Sequence, residues 1–150
     1  MTETYQLKME EQSAEDMSKL IIMSVKTLAK TEGVDDKSRE KAFKFIISIA
    51  DLKFKFPSKL HKSLFEIIIG VNMDAKLPEF IIKYAIITLE KLIMCSSDIV
   101  CDPTNRPLLF AFTDKFKFYV RNCKNYSKDV IEKYLNVMFR IVNTLDYEGI

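Results

Sequence analysis

The 150-residue sequence has no tryptophan, one histidine, three glycines, three cysteines and four prolines. So little glycine and proline disfavours a turn-rich all-β fold. Three scattered glycines, Gly33, Gly70 and Gly149, are too few for a phosphate-cradling loop or a dinucleotide fingerprint. A hydrolytic dyad or triad would have to use His61, and no G-x-S-x-G elbow is present to supply its nucleophile. His61 sits between Lys59 and Lys62 near an expected helix start and reads as a solvated surface imidazole. Cys95, Cys101 and Cys123 are an odd set that cannot all pair within one chain, so free thiols in a reducing compartment, cytoplasmic or nuclear, are expected. The five-residue gap between Cys95 and Cys101 is not a zinc spacing, and packed thiols are the expectation. No long apolar run exists either: Phe80 to Cys95 is broken by Lys83, Glu90 and Lys91, which makes it too charged to span a bilayer. Residues 1–12 are acidic and polar, unlike a signal peptide. The triplet Asn125-Tyr126-Ser127 matches a glycosylation acceptor, a match common by chance. With only 4 arginines against 19 lysines, rigid forks for phosphate or base recognition are scarce. Neither catalysis, a cofactor nor a metal is expected.

What is present is a globular balance, 48% hydrophobic and 29% charged, in a chain of single-domain length. Apolar residues recur at helical spacing in six segments. The first starts near Ser13 in a Ser-x-x-Asp capping arrangement and stops before Gly33. The second follows Asp35-Asp36 and ends before Pro57, the third starts at a Ser58 cap, and the fourth starts with Pro78 in its first turn and runs to about Cys95. Residues 96–107 read as a loop. The fifth segment, Leu108 to Val120, reads as a helix, with a hairpin as the alternative because Phe110, Phe112, Phe116, Phe118 and Val120 also alternate. The sixth starts at a Ser127 cap with Asp129 favourably placed at the positive helix start, and Ile131, Tyr134, Leu135, Met138, Ile141, Val142 and Leu145 follow as its apolar face. The expected organisation is a flexible segment 1–12, one all-α domain 13–145 and a tail 146–150.

Alternate helix starts lie 42 to 49 residues apart, the period of paired-helix repeats. The second, fourth and sixth segments also share a lysine, an aromatic and an apolar residue: Lys44-Phe45-Ile46, Lys83-Tyr84-Ala85 and Lys133-Tyr134-Leu135. On this spacing the chain resembles the armadillo/HEAT class of right-handed helical stacks, including the VHS and polymerase-tail-binding domains of similar length. That resemblance implies a non-catalytic protein-interaction module, with Lys44, Lys83 and Lys133 as a basic ladder for an acidic or phosphorylated peptide. The other architecture that fits six amphipathic helices is a compact bundle. In size and helix count such a bundle is similar to viral Bcl-2-like proteins that interfere with host signalling, although their Asn-Trp and Gly-Arg residues are missing.

Charge is segregated along the chain. Residues 41–62 carry six lysines and one acid, and residues 115–128 carry Lys115, Lys117, Arg121, Lys124 and Lys128 with no acid. Both stretches are interleaved with phenylalanine. Such a pattern fits amphipathic helices with Phe inward and Lys outward; it also suits nucleic acid or an anionic lipid surface. The net charge of +2 favours a protein partner over a nucleic acid. Lys115, Lys117, Arg121 and Lys124 join the ladder lysines as candidate partner-binding residues.

Overall fold

A computed structural model describes residues 2–30, 33–52, 56, 58–72, 76–95, 98–122, 124 and 126–147, with side chains described from Asp16 onward except at 58, 71, 72, 146 and 147. The chain is all-α. Helices α1 (Thr2–Ala29), α2 (Asp36–Asp51), α3 (Ser58–Ile67), α4 (Glu79–Cys95), α5 (Asp98–Cys101), α6 (Arg106–Arg121) and α7 (Lys128–Tyr147) follow in order. A π turn, Ile68–Asn72, extends α3, and a 3-10 turn, Pro103–Asn105, leads into α6.

The short turns explain most of these boundaries. Gly33 adopts φ 77°, a left-handed conformation that costs glycine little, and lets the chain reverse between α1 and α2. Asp35 then caps α2 by accepting from the Ser38 backbone N–H at 2.8 Å, and that bond holds its carboxyl below the usual range. Arg39, buried despite its charge, reaches back to the carbonyls of Lys30 (3.1 Å) and Val34 (3.5 Å) and so ties the two helices together. Pro78 lies one residue before α4, where its carbonyl accepts from Ile81 and Ile82. At α7, Ser127 caps as expected, its Oγ accepting from Val130 N–H at 3.3 Å.

Three elements differ from the sequence expectation. Helix α1 begins at Thr2 rather than Ser13. Residues 2–12 contain no glycine or proline and are rich in Glu, Gln, Lys, Leu and Met, so nothing local stops the helix before the capping pair. Residues 96–107 are not plain loop: α5 and the 3-10 turn occupy much of it, the latter started by Asp102, which accepts from Thr104 N–H at 3.0 Å. Residues 106–121 form α6, not a hairpin. The expected Ser58 cap concerns a side chain outside the described residues, as does the tail beyond Tyr147.

Two layers result. In one, α2 and α4 run parallel, as the pairs Lys44 with Tyr84 and Asp51 with Lys91 show. Helix α7 runs parallel on the other flank of α4, through Lys83 with Asp129 and Glu90 with Arg140. In the other layer α1, α3 with its π turn, and α6 follow each other. The buried positions of α2 (Ala42, Phe43, Ile46, Ile49) recur in α4 (Ile81, Ile82, Ala85, Thr88). Those of α4 (Ile82, Ile86, Leu89, Ile93) recur in α7 (Val130, Tyr134, Val137, Ile141) at a constant offset of 48, as from 82 to 130. The lysine–aromatic–apolar match places α7 at an offset of 50, as from 83 to 133. Two residues are about 200° of helix rotation. Ile46 and Ala85 are accordingly buried, whereas Leu135 is exposed, so that match is not the structural register of α7.

Candidate functional site

The α6–α7 end of the molecule is built on an aromatic cluster. Tyr134 on α7 stacks on Phe112 (centroids 4.4 Å) and Phe116 (5.2 Å) and lies 5.4 Å from Tyr119, all on α6. Its hydroxyl donates to the Phe112 carbonyl at 2.6 Å, and burial drives its ionisation far above the ordinary tyrosine range. Tyr126, in the turn, meets Tyr119 edge-on at 4.8 Å. Four interlocked rings fix the two helices against each other, so whatever they display is held in place.

One flank of α7 packs on α4, where Asp129 meets Lys83 and Arg140 meets Glu90. At about 100° per residue, Leu135, Phe139 and Val142 fall on the opposite flank. They are 39%, 58% and 48% exposed, spaced four and then three residues apart, and form one stripe. Phe110, Phe118 and Val120 of α6 are also exposed. Of the twelve large hydrophobics exposed among the described residues, nine lie on α1, α6 and α7, the helices at the two ends of the layers. Helices α2 and α3 show none within their spans, and α4 shows Phe80 and Met94 near its two ends. Contiguous apolar exposure of this kind marks a contact surface more than it marks a monomer's ordinary surface.

The basic stretch lies at the same end. Lys117, Arg121, Lys124 and Lys128 are exposed around the α6 C-terminus and the turn into α7. Lys115 is half-buried. Among the described residues, Lys117 has one long ion-pair contact, to Asp114 on its own helix (3.9 Å). Positive charge is favoured at a helix C-terminus, which accounts for part of the clustering.

The ladder lysines are spread over the layer α2–α4–α7, but acids bind them. Lys44 pairs with Glu40 at 2.8 Å and lies 5.7 Å from the Tyr84 ring centre, while Lys83 and Lys133 both contact Asp129. Their carboxylate partners hold Lys44 and Lys83 protonated above the usual lysine range and hold Asp129 below that of aspartate. Together with Lys91–Asp51 and Arg140–Glu90, these contacts make the outer face of the layer a mosaic of both signs rather than a basic track.

His61 contradicts its sequence expectation. It is 6% exposed, stacked near Phe56 (6.1 Å), with Nε2 2.9 Å from the Leu92 carbonyl. A carbonyl only accepts, so Nε2 carries the proton. Leu92 belongs to the last turn of α4, whose carbonyls lack intrahelical partners, and His61 satisfies one of them. The imidazole faces inward because residues 61, 64, 65 and 68 share one helical face; its lysine neighbours suggested otherwise. Burial lowers its pKa below the ordinary value, against smaller opposing effects of the Leu92 bond and Asp98.

Cys95 is exposed and Cys101 half-buried; Cys123 lies outside the described residues. Partial burial and Asp51 push the Cys95 thiol up, which disfavours the thiolate. Among the described residues no three His, Cys, Asp or Glu side chains gather as a metal site requires, and no helix is long and apolar enough to cross a membrane.

The sequence placed Leu135 and Val142 on the packed face of the last helix and missed the stripe. A signal was available: at about 100° per residue the apolar residues of α7 spread over about 200° of its circumference, about twice the stripe of an ordinary surface helix. Compared with family models, curated proteins and solved structures, the chain matches none.

Proposed function

We propose that the chain is a non-catalytic recognition module, an armadillo/HEAT-like helical stack that binds an acidic amphipathic segment of a protein partner at its α6–α7 end. One observation carries the reading: the apolar stripe Leu135, Phe139 and Val142 stands on the same helix pair as the exposed cations Lys117 and Arg121, with exposed Lys124 in the turn between the two helices. Residues 115–128 hold no acid, and Asp114 just outside them makes only a long contact, 3.9 Å, with Lys117. The stripe would supply affinity, since full burial of a Val, Leu or Phe side chain is worth about 1.5–3 kcal/mol. The cations would steer approach and select sign. The parallel order α2, α4, α7 with buried positions recurring at fixed offsets supports the layered reading over the Bcl-2-like one, in α4 as in its neighbours, although only Phe80, Met94 and Cys95 of α4 are exposed. The ladder Lys44, Lys83 and Lys133 is the weaker site, because its charge is already answered by Glu40 and Asp129.

The test is a library of acidic, amphipathic, partly phosphorylated peptides screened against the wild-type chain and two variants. One reverses Lys117, Arg121 and Lys124 to Glu; the other is Phe139→Ser. Both should remain folded and lose the captured peptides. Capture that ignores both variants, or no capture at all, rejects the site. Duplex DNA is the competing ligand. It separates by a salt slope near 0.9 in log affinity per phosphate neutralised, where a peptide held by the stripe gives a shallow one.

A further inference from the structure

We propose that the outer side of the layer α1–α3–α6 docks on an anionic lipid surface. This goes beyond peptide recognition by the α7 stripe and shares only Lys117 and Arg121 with it. At about 100° per residue, Lys19, Met23 and Lys26 fall within about 60° of one another on α1, opposite the buried Ile21 and Leu28. Exposed Lys30 follows just past the helix. Met23 is 63% exposed, and Leu20 and Ile22 flank the stripe at 49% and 46%. On α6, Arg106, Phe110, Lys117 and Arg121 fall within a similar arc, opposite the buried Phe112 and Tyr119. Phe110, in the middle of that arc, is 70% exposed. Both end helices of one layer therefore turn the same mixture away from the core: cations with apolar side chains between them.

Charge picks the occupant's sign. The acids of α1 stop at Asp16, and residues 17–31 hold three lysines and no acid. The α6 stripe holds three cations and is bordered by one acid, Asp114. Between them α3 shows Lys59 and Glu66, which balance. The outer face of the layer α2–α4–α7 differs, because Lys83 with Asp129, Lys91 with Asp51 and Arg140 with Glu90 neutralise one another there. Lys19, Lys26, Arg106 and Arg121 have no carboxylate at ion-pair distance among the described residues. Unanswered cations on one side of a molecule draw it to an anionic surface. The apolar residues decide which anionic surface. Leu20, Ile22 and Met23 are aliphatic and give a nucleic-acid base no ring to stack on, and lysines give it no planar fork. At a bilayer interface the same side chains bury themselves among headgroups, while the lysine stems run beside them and hold their ammonium groups at the phosphates.

The experiment is flotation with vesicles of equal parts phosphatidylserine and phosphatidylcholine, and with vesicles of phosphatidylcholine alone. The wild-type chain should float with the anionic vesicles and not with the neutral ones. Binding should weaken as salt rises from about 0.1 M to about 1 M, where the screening length falls from about 10 Å to about 3 Å. Three variants locate the contact. Lys19→Glu with Lys26→Glu should lower partitioning at least about 25-fold, about fivefold for each cation lost. Met23→Ser with Phe110→Ser changes no charge and should lower it at least about tenfold. Lys37→Glu with Lys41→Glu makes the same change of charge at exposed positions of α2, in the other layer, and should stay within about threefold of wild type. Circular dichroism confirms the fold of each, and single substitutions replace a pair that unfolds. A wild-type chain that ignores anionic vesicles overturns the inference. So does an equal loss in the α2 control, which means adsorption by net charge, or undiminished binding by the Met23 and Phe110 variant. Single-stranded DNA that strips the wild type from the vesicles and fails to bind the first two variants reassigns the face to nucleic acid and overturns it as well. None of the three variants alters Lys117, Arg121, Lys124 or Phe139, so the recognition reading stands or falls separately, with the peptide library.

Discussion

Helices α4 and α7 lie side by side, run parallel and bury the same pattern of positions, yet they end up with different surfaces. Helix α4 has a neighbour on each flank, α2 and α7, and its exposed apolar residues, Phe80 and Met94, sit near its two ends. Helix α7 has α4 on one flank and also packs on α5 and α6, yet Leu135, Phe139 and Val142, on the side turned from α4, stand in the open. The two helices are similarly amphipathic in sequence. The difference comes from position in the layer: α4 lies between two helices, whereas α7 ends it. The outer face of α7 is mixed, with Leu135, Phe139 and Val142 beside the exposed Glu132, Asn136 and Asn143.

The sharpest way to break the comparison is at neighbouring residues of α7. Tyr134 is sealed by three aromatic rings, whereas Leu135 faces outward. Tyr134→Ala should cost about 3–5 kcal/mol, as for other large aromatics deleted from cores. Leu135→Ala should cost less than about 1 kcal/mol, since most of what it removes already faces water. Chemical denaturation of both variants checks this. Equal losses would mean that the outer flank of α7 is covered in the isolated chain.

Arg39 probes the sealed side. Its guanidinium is buried and donates to the carbonyl of Lys30, just past α1, and to that of Val34, just before α2. Arg39→Ala removes charge-assisted bonds of the kind worth about 1.5–3 kcal/mol and should lower the unfolding midpoint accordingly. Arg39→Lys should recover only part of that, because one ammonium cannot reproduce the planar fork. Full recovery would show that charge alone, not the two-carbonyl geometry, joins α1 to α2.

The glycines give a smaller, signed contrast. Neither Gly33 nor Gly70 has an atom within 4 Å of where a Cβ would stand, so space does not distinguish them. Backbone does. Gly33 is left-handed, and Gly33→Ala should cost about 1–2 kcal/mol. Gly70 lies in the helical π turn without such a φ, and Gly70→Ala should stabilise by about 0.4–1 kcal/mol by restricting the unfolded chain. Paired melting curves test the opposite signs.

The helices were legible in the sequence because period and caps are local: Asp35 and Ser127 marked boundaries that the structure keeps within a residue or two, whereas α2 ends at Asp51, several residues before the expected stop at Pro57. Even the alternate-helix spacing corresponds to a real feature, the parallel set α2, α4 and α7. What escaped was decided by neighbours far along the chain. Lys44, Lys83 and Lys133 looked like an open basic ladder because Asp129 is remote in sequence from Lys83 and meets it only when α7 packs on α4. The register of α7 slipped by two residues because a lysine-aromatic pair is cheap to match in a chain with 19 lysines. Leu135 looked like core because periodicity reports an apolar face and not whether anything covers it.

His61 is the last test of that distinction, and it is silent at neutral pH. Its imidazole is buried and neutral, so its folded pKa lies below the ordinary value near 6.5. In acid the unfolded chain takes up this proton before the folded one does. Stability is therefore fully present above about 6.5 and falls as pH drops through the window between the unfolded and folded values. Below the folded value the loss stops growing. The carboxylates bias the comparison in the same direction but lower down: Asp35, Glu79, Asp102 and Asp129 are all held below their ordinary values, and their contributions fade only as pH falls through the carboxylate range. The two windows separate the causes. Asp98 is the acid that acts on His61, and Lys62 beside it in sequence reaches instead to Thr104 at 3.0 Å. In His61→Gln the amide keeps a donor for the Leu92 carbonyl but binds no proton near pH 6. Unfolding midpoints of wild type and variant should run parallel above pH 7. Between about pH 6.5 and pH 5 the wild type should decline while the variant stays flat. If both decline alike there, the imidazole is not the sealed group, and His61 returns to the solvated surface position its lysine neighbours suggested.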